Sequence, residues 1–193
     1  MVRLAITLFL LLPLLRSPAM AEPVPTIAAA ASLRDVLPVV VDAFVEHGGD
    51  RPRLSFGASG NLRRQIAQGA PFEVFLSADE GFVLDLAREG HAVDEGAVYA
   101  LGRLAVLVPA GSDLAADGSL RDLGAALDGG RLRRLAIANP DHAPYGLAAR
   151  EVLERRDLWD RLQSHLALGE NAAQAAQFVV AGGADAGIVA YSL

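Results

Sequence analysis

From Thr26 onward, short apolar segments of strand length alternate with longer segments whose apolar residues recur at helical spacing. Thr26–Ala31 is the first apolar segment, and Leu33–Glu46 follows it with apolar side chains three and four positions apart. This alternation predicts an α/β fold in which parallel strands are joined by helices. The other predicted strands are Arg53–Phe56, Glu73–Ser77, Leu135–Ala138, His165–Leu168 and Ala186–Ala190, and the other predicted helices are Asn61–Gln68, Asp79–Arg88, Leu120–Leu127, Gly146–Arg156 and Ala172–Ala181.

The run Val98–Pro109 is β-prone throughout and exceeds one ordinary strand of about five or six residues. We predict that this run crosses from one lobe of the protein into another, with a hinge near Gly102. Residues 22–102 then form the first lobe and residues 103–193 the second. Each lobe is expected to be an open, mostly parallel sheet flanked by helices, with a cleft between the two. Since no closing helix follows the last predicted strand, we expect the natural protein to continue beyond Leu193.

Residues 1–21 have the layout of a secretory signal peptide. Arg3 precedes an apolar run from Leu4 to Leu15, and Ala19-Met20-Ala21 offers a small-x-small cleavage site. The apolar run is too short to cross a bilayer, which requires roughly 20 residues. The sequence therefore predicts export to the periplasm. It contains no Cys, which excludes a lipid anchor on an N-terminal Cys, disulfides and thiolate metal ligands.

The charge balance argues against nucleic acid as a partner. All 17 basic residues are Arg, and removal of Arg3 and Arg16 with the signal peptide leaves 15 of them against 23 acidic residues, a formal charge of −8. A net-negative chain without a basic run is poorly suited to bind a phosphate backbone.

Small or hydroxyl residues occupy four places where a predicted strand ends and the next helix begins. The first N–H groups of a helix lack an intrahelical partner and lie at the positive end of the helix dipole, so they bind anions. In open α/β sheets, ligands bind at this edge. Four such helix ends facing one cleft would hold a dianion without any Arg. The four segments are Ala29–Leu33, Phe56–Asn61, Pro144–Gly146 and Gly169–Ala172.

A neutral cage of donors also selects by protonation state. A fully ionised oxyanion only accepts hydrogen bonds, whereas a protonated phosphate brings an O–H that needs an acceptor inside the site. The pattern therefore favours molybdate, tungstate or sulfate over hydrogen phosphate. Taken singly, Ser32, Ser59 and Asn171 can equally be read as helix N-caps, and Tyr145 as a packed loop aromatic.

In order along the chain, several segments resemble the periplasmic molybdate-binding proteins of ABC transporters. The most specific of them runs from Gln65 to Pro71 and leads into FLSAD. The resembling segments are AAASL at 29–33, FGASGNLRRQIAQGAPFEVFLSAD at 56–79, ANPDHAPYGLAARE at 138–151, GENAAQAA at 169–176 and GIVAYSL at 187–193.

The resemblance implies a two-lobed periplasmic-binding-protein-like fold and a monomer that passes molybdate or tungstate to a membrane permease. It implies no enzymatic activity, no cofactor and no cation site, because molybdenum would contact the protein through its oxygens. That family's chain also crosses back to complete the first lobe, and we expect the sequence up to Leu193 to lack this return. The ligand residues implied are Ser32, Ser59, Tyr145, Ala172 through its backbone amide, and Tyr191.

One position departs from the family pattern. Some members carry the ligand tyrosine directly after G-I-V, where this sequence has Ala190, and the tyrosine follows at Tyr191. Successive side chains of a strand point to opposite faces, so the sequence leaves open which of the two faces the ligand.

Other functions fit these residues less well. Ser59 with Asp141 and His142 suggests a hydrolase, but Asn61 stands where the G-x-S-x-G motif requires glycine, and His142 is predicted to be an exposed loop residue. The four His residues fall on separate elements, which argues against a metal-cation site. The signal peptide argues against a cytoplasmic sensor domain. A binding protein for sulfate or another oxyanion is the nearest alternative.

Overall fold

The computed structural model describes residues 24–193, so the predicted signal peptide lies outside the described residues. Strands and helices alternate along this range, as the apolar pattern predicts. The strands are β1 (Thr26–Ala30), β2 (Arg53–Gly57), β3 (Val74–Leu76), β4 (Leu104–Leu107), β5 (Leu135–Ala138), β6 (Leu166–Gly169) and β7 (Ala186–Ala190). The helices are α1 (Leu37–Glu46), α2 (Ser59–Ala67), α3 (Glu80–Arg88), α4 (Arg121–Asp128), α5 (Pro144–Glu154), α6 (Trp159–Leu162) and α7 (Ala172–Val180).

The strands form two separate sheets, one for each lobe. In the first lobe the order is β2-β1-β3 and all pairs are parallel. In the second lobe the order is β4-β7-β5-β6, and only β4, which pairs with β7, is antiparallel. The predicted fold class, two open and mostly parallel sheets flanked by helices, is confirmed.

The start of α1 differs from the prediction. Ala31–Leu33 forms a 3₁₀ turn, and α1 begins only at Leu37. Pro38 lies in the first turn of α1, where its missing N–H costs no intrahelical bond and its fixed φ favours a helix start. Ser32 therefore lies in a short turn at the end of β1 and not at the first turn of an α-helix.

The run Val98–Pro109, predicted to cross between the lobes, contains a shorter strand than its β-prone composition indicates. Only Leu104–Leu107 is a strand, and residues 98–103 have no regular secondary structure. A strand forms where a neighbouring strand satisfies its backbone N–H and C=O groups, and β7 offers such a neighbour only to Leu104–Leu107. The helix α6 was not predicted, because four residues are too few to show a helical period.

Each lobe has its own hydrophobic core. In the first, Ala29 of β1 packs against Leu37 and Val41 of α1. In the second, strand side chains pack against α4, α5 and α6 in a cluster that includes Leu123, Leu135, Ile137, Leu153, Leu162 and Ile188.

Truncation of Leu153 tests the second core. Leu153 on α5 has none of its surface exposed, whereas 44% of Leu147 on the same helix is exposed. We expect Leu153→Ala to lower the free energy of unfolding by about 2–5 kcal/mol, because it removes buried apolar area and leaves a cavity. The matched change Leu147→Ala should cost less than about 1 kcal/mol. Urea denaturation followed by circular dichroism measures both, and equal losses would contradict this core.

Candidate functional site

Ser59 is the first residue of α2, where β2 ends, and only 1% of its surface is exposed. Ala58 and not Ser59 occupies the N-cap position. The Ser59 hydroxyl oxygen instead accepts a hydrogen bond from the Ala78 N–H at 3.0 Å. A hydroxyl that is engaged as an acceptor still has its proton to donate. The N-cap role of Ser59 is therefore excluded, and its O–H remains a donor for another group.

Ser32 lies in the 3₁₀ turn after β1, with 4% of its surface exposed. Ala30 precedes the turn as its cap residue, so Ser32 is not an N-cap either. Its carbonyl oxygen accepts a hydrogen bond from the Ser192 hydroxyl at 2.7 Å, which joins the end of the second lobe to the first. Within residues 24–193 its own hydroxyl has no hydrogen-bond partner, which leaves it available to a ligand.

A cavity of about 1090 Å³ brings three of the five candidate residues together. Ser32 lines it from the first lobe, and Tyr145 and Tyr191 line it from the second. Ala190, by contrast, is the last residue of β7 and is 1% exposed. Tyr191 is therefore the residue of this pair that faces the cavity. Ser59 and Ala172 are buried and do not line it.

Ala172 is the first residue of α7, with 5% of its surface exposed. Asn171 caps this helix, because its side chain accepts a hydrogen bond from the Gln174 N–H at 3.1 Å. The predicted N-cap role of Asn171 is confirmed. Since α7 also contacts the 3₁₀ turn that carries Ser32, the two lobes meet at this point too.

The two lobes also touch directly at the start of α2. The Gly60 N–H donates a hydrogen bond to the His142 carbonyl oxygen at 3.0 Å. Beside it, Ala58 of the first lobe packs against Ala138 and Ala143 of the second in one buried cluster. The Asn61 side-chain amide donates a hydrogen bond to a carboxylate oxygen of Glu170. The residues that carry the predicted site therefore border an interface between the lobes.

This contact does not follow from the local sequence pattern. The prediction that His142 is an exposed loop residue is wrong, because only 13% of its side chain is exposed. The His142 ring nitrogen Nε2 lies 3.0 Å from the Glu170 carbonyl oxygen and 3.3 Å from the carboxylate oxygen Oε2. A glycine directly after the predicted ligand serine was the only local signal for a close approach.

The charged groups of the described chain do not form a chelating site. Within residues 24–193, no three His, Asp or Glu side chains come close enough to one another to hold a metal ion. The hydrolase hypothesis would need the His142 imidazole to be directed to Ser59, but it is directed to Glu170. No helix of this range is long and apolar enough to cross a membrane.

Two α/β lobes that contact each other where strands end and helices begin have the architecture of a solute-binding protein. The chain belongs to the bacterial extracellular solute-binding protein family, whose model matches residues 25–193. Membership places it among binding proteins and not among enzymes.

Known proteins of this kind resemble the chain in sequence and in structure. It is 38% identical over 167 residues to the molybdate-binding protein of Azotobacter vinelandii and 39% identical over 168 residues to that of Rhodobacter capsulatus. These matches cover 86% of the chain and 64% and 63% of the two relatives, so the chain spans just under two thirds of their length. The solved periplasmic molybdate-binding protein of A. vinelandii superimposes with a TM-score of 0.76 at 33% identity, over 86% of this chain and 71% of that one.

Tyr99 supplies a polar contact at the cavity wall. It is half exposed, and its hydroxyl donates a hydrogen bond to the Ser77 carbonyl at 2.7 Å. Burial raises the pKa of Tyr99 above its ordinary value, and the nearby Tyr145 raises it further. The protonated form is thus favoured in the folded state. Its stabilising contribution is present below the unfolded pKa of about 10 and is lost as the pH rises through the higher folded pKa.

Alkaline titration tests this contact. We expect the free energy of unfolding to fall above about pH 10, where ionisation of Tyr99 removes the donor to Ser77. In Tyr99→Phe this part of the decrease should be absent, whereas Tyr191→Phe, at a 75% exposed position, should retain it. Urea denaturation at a series of pH values measures the effect, and tyrosinate absorbance follows the ionisation. Identical pH profiles for wild type and Tyr99→Phe would refute the assignment.

Proposed function

We propose that this chain captures molybdate, or the chemically similar tungstate, outside the cytoplasm and delivers it to the membrane permease of an ABC transporter. The observation that carries the proposal is the state of the Ser59 hydroxyl, which is buried and engaged as an acceptor and so presents its proton as a donor. The relatives named as molybdate-binding proteins support the choice of oxyanion.

Five residues of the two lobes form the proposed oxyanion site. Ser32 and Ser59 donate through their hydroxyls from the first lobe. From the second lobe, Ala172 donates through its backbone N–H, which has no intrahelical partner at the first position of α7. Tyr145 and Tyr191 close the site from the cavity side.

This donor set suits a dianion that carries no proton. Hydroxyl and amide donors pre-oriented by the fold replace the water shell of the anion without the cost of burying a guanidinium. The positive ends of α2 and α7 add a favourable field. Because the proposed set contains no carboxylate, a protonated oxyanion would find only neutral hydroxyl oxygens as acceptors for its O–H, which are weaker acceptors than a carboxylate.

The remaining parts of the proposal follow from family membership. An extracellular solute-binding protein must be exported, which agrees with the signal-peptide pattern of residues 1–21. The chain is proposed to act in the periplasm as a monomer, to need no cofactor, and to contact nucleic acid nowhere. The permease would recognise the arrangement in which both lobes contact the ligand.

Calorimetric titration tests the choice of ligand. The protein is purified from the periplasm, freed of anions and titrated in parallel with molybdate, tungstate, sulfate and phosphate. We expect tight binding of the first two and at least about 100-fold weaker binding of phosphate, since a poorly satisfied O–H costs roughly 1–3 kcal/mol and shape adds to it. Preferential binding of sulfate would replace the proposed ligand by the nearest alternative. If a folded protein binds none of the four, the proposed function is wrong.

Single hydroxyl deletions test the site. We expect Ser59→Ala and Ser32→Ala each to weaken oxyanion binding by about 1–3 kcal/mol through the loss of one charge-assisted donor. Ser59→Ala should also lower the free energy of unfolding, because the Ala78 N–H loses its acceptor. Ser164→Ala, at an exposed position in the second lobe, is the matched control and should change neither quantity. Unchanged affinity in both site variants would refute the assignment.

A further inference from the structure

The backbone at the start of α2 is in direct contact with the backbone of the turn before α5. The Gly60 N–H donates a hydrogen bond to the His142 carbonyl oxygen at 3.0 Å. This hydrogen bond crosses from the first lobe to the second. We call the hydrogen bond, together with the Asn61–Glu170 bridge beside it, the closure contact.

Gly60 is required by the closeness of this approach and not by its backbone conformation. A Cβ at this position would lie 2.7 Å from the His142 carbonyl oxygen and 3.2 Å from the His142 Cα. Both are backbone atoms of the other lobe and cannot turn aside as a side chain can. Gly60 does not have a positive φ, and in a helix Ala is favoured over Gly by about 1 kcal/mol. The third atom close to a Cβ here is Phe82 Cζ, 3.2 Å away in the flexible ring of a first-lobe side chain.

The bridge beside Gly60 is held in place from the second lobe. The Asn61 amide donates to a Glu170 carboxylate oxygen, and the other carboxylate oxygen is 3.3 Å from His142 Nε2. The Glu170 N–H in turn donates to the Gln174 side chain at 2.6 Å. Glu170 is thus oriented by its own lobe, and among residues 24–193 its side chain reaches the first lobe through Asn61.

The closure contact provides hydrogen-bond acceptors from the protein itself at the N-terminal, positive end of α2. The first N–H groups of this helix have no intrahelical acceptor, and the carbonyl of His142 supplies one of them with a partner. The carboxylate of Glu170 lies near the same helix end through Asn61. The carbonyl oxygen has a partial negative charge and the carboxylate a full one, and both lie near the positive end of the α2 dipole. The lobes therefore attract each other at this point without a bound anion.

From this geometry we propose that the closure contact determines how closely the two lobes approach, with Gly60 as the positioning residue. It favours the closed arrangement even in the ligand-free chain and so presets the spacing between the Ser hydroxyls of the first lobe and the donors of the second. The effect on affinity rests on the proposed function, whereas the effect on lobe separation does not.

Lobe separation can be measured by pulsed electron paramagnetic resonance. Since the chain contains no Cys, two spin labels can be placed specifically on Glu46→Cys in the first lobe and Arg156→Cys in the second, both exposed positions. In the ligand-free protein, Gly60→Ala should shift the distance distribution to longer values. Gly118→Ala is the matched control, because a Cβ there meets no atom within 4 Å and φ is not positive. Its distribution should coincide with that of the parent.

The same variants are then titrated with molybdate. Gly60→Ala should weaken binding by at least about tenfold, which corresponds to 1.4 kcal/mol, while its thermal midpoint stays equal to or above that of the parent because Ala favours α2. Loss of affinity without loss of stability separates a positioning role from a structural one. If Gly60→Ala does not fold, Asn61→Ala decides, since it removes the bridge without adding an atom or changing the charge, and it should also lengthen the distances.

The outcomes separate this inference from the proposed function. If the parent binds molybdate but Gly60→Ala and Asn61→Ala leave the distance distribution unchanged, the closure contact does not set the lobe spacing and the inference is wrong. If the distances lengthen but no oxyanion binds to the parent, the inference stands and the proposed function fails.

Discussion

Where parallel strands are followed by helices, the unpaired N–H groups at the helix starts lie at one edge of each sheet. The rest of the structure depends on which hydrogen-bond acceptors these groups find. A buried N–H without an acceptor costs free energy comparable to a lost hydrogen bond. In this protein the two edges face each other, so the groups can be satisfied from the opposite lobe, by side chains or by a ligand. Gly60 takes its acceptor from His142, and Gln174 takes its acceptor from the Asn171 cap.

Small residues at these edges follow from the same constraint. The buried cluster of Ala58, Ala138 and Ala143 lets the backbones of the two lobes come close enough for direct hydrogen bonds. Larger side chains would hold the lobes apart and leave the helix starts to water. A hydroxyl is the smallest side chain that still donates, which is why Ser59 can be nearly fully buried at the start of α2 and keep a proton to donate. The net negative charge of the chain is compatible with an anion site for this reason.

The strands and most helices could be predicted from the sequence because their signals are local. The apolar pattern predicted β5 and β7 with their observed bounds, and it predicted the bounds of α7 to within one residue. Where the outcome depends on a neighbour, the prediction was wrong. Residues 98–103 have strand-like composition but no partner strand, and α1 starts late because of the turn at Ala31–Leu33.

By itself, the sequence determined the α/β class, the small residues that follow the strands, and Ser32 and Ser59 as the hydroxyls that follow β1 and β2. Periodicity and residue type are sufficient for this, because they act over a few neighbouring residues. Only the tertiary structure decided that Tyr191 and not Ala190 faces the cavity, that neither serine caps a helix, and that Gly60 lies against His142. The contact of Gly60 with His142 depends on the relative placement of two segments that are more than 80 residues apart in the sequence. The choice between Ala190 and Tyr191 depends on the orientation of a single peptide unit. No local sequence pattern records either.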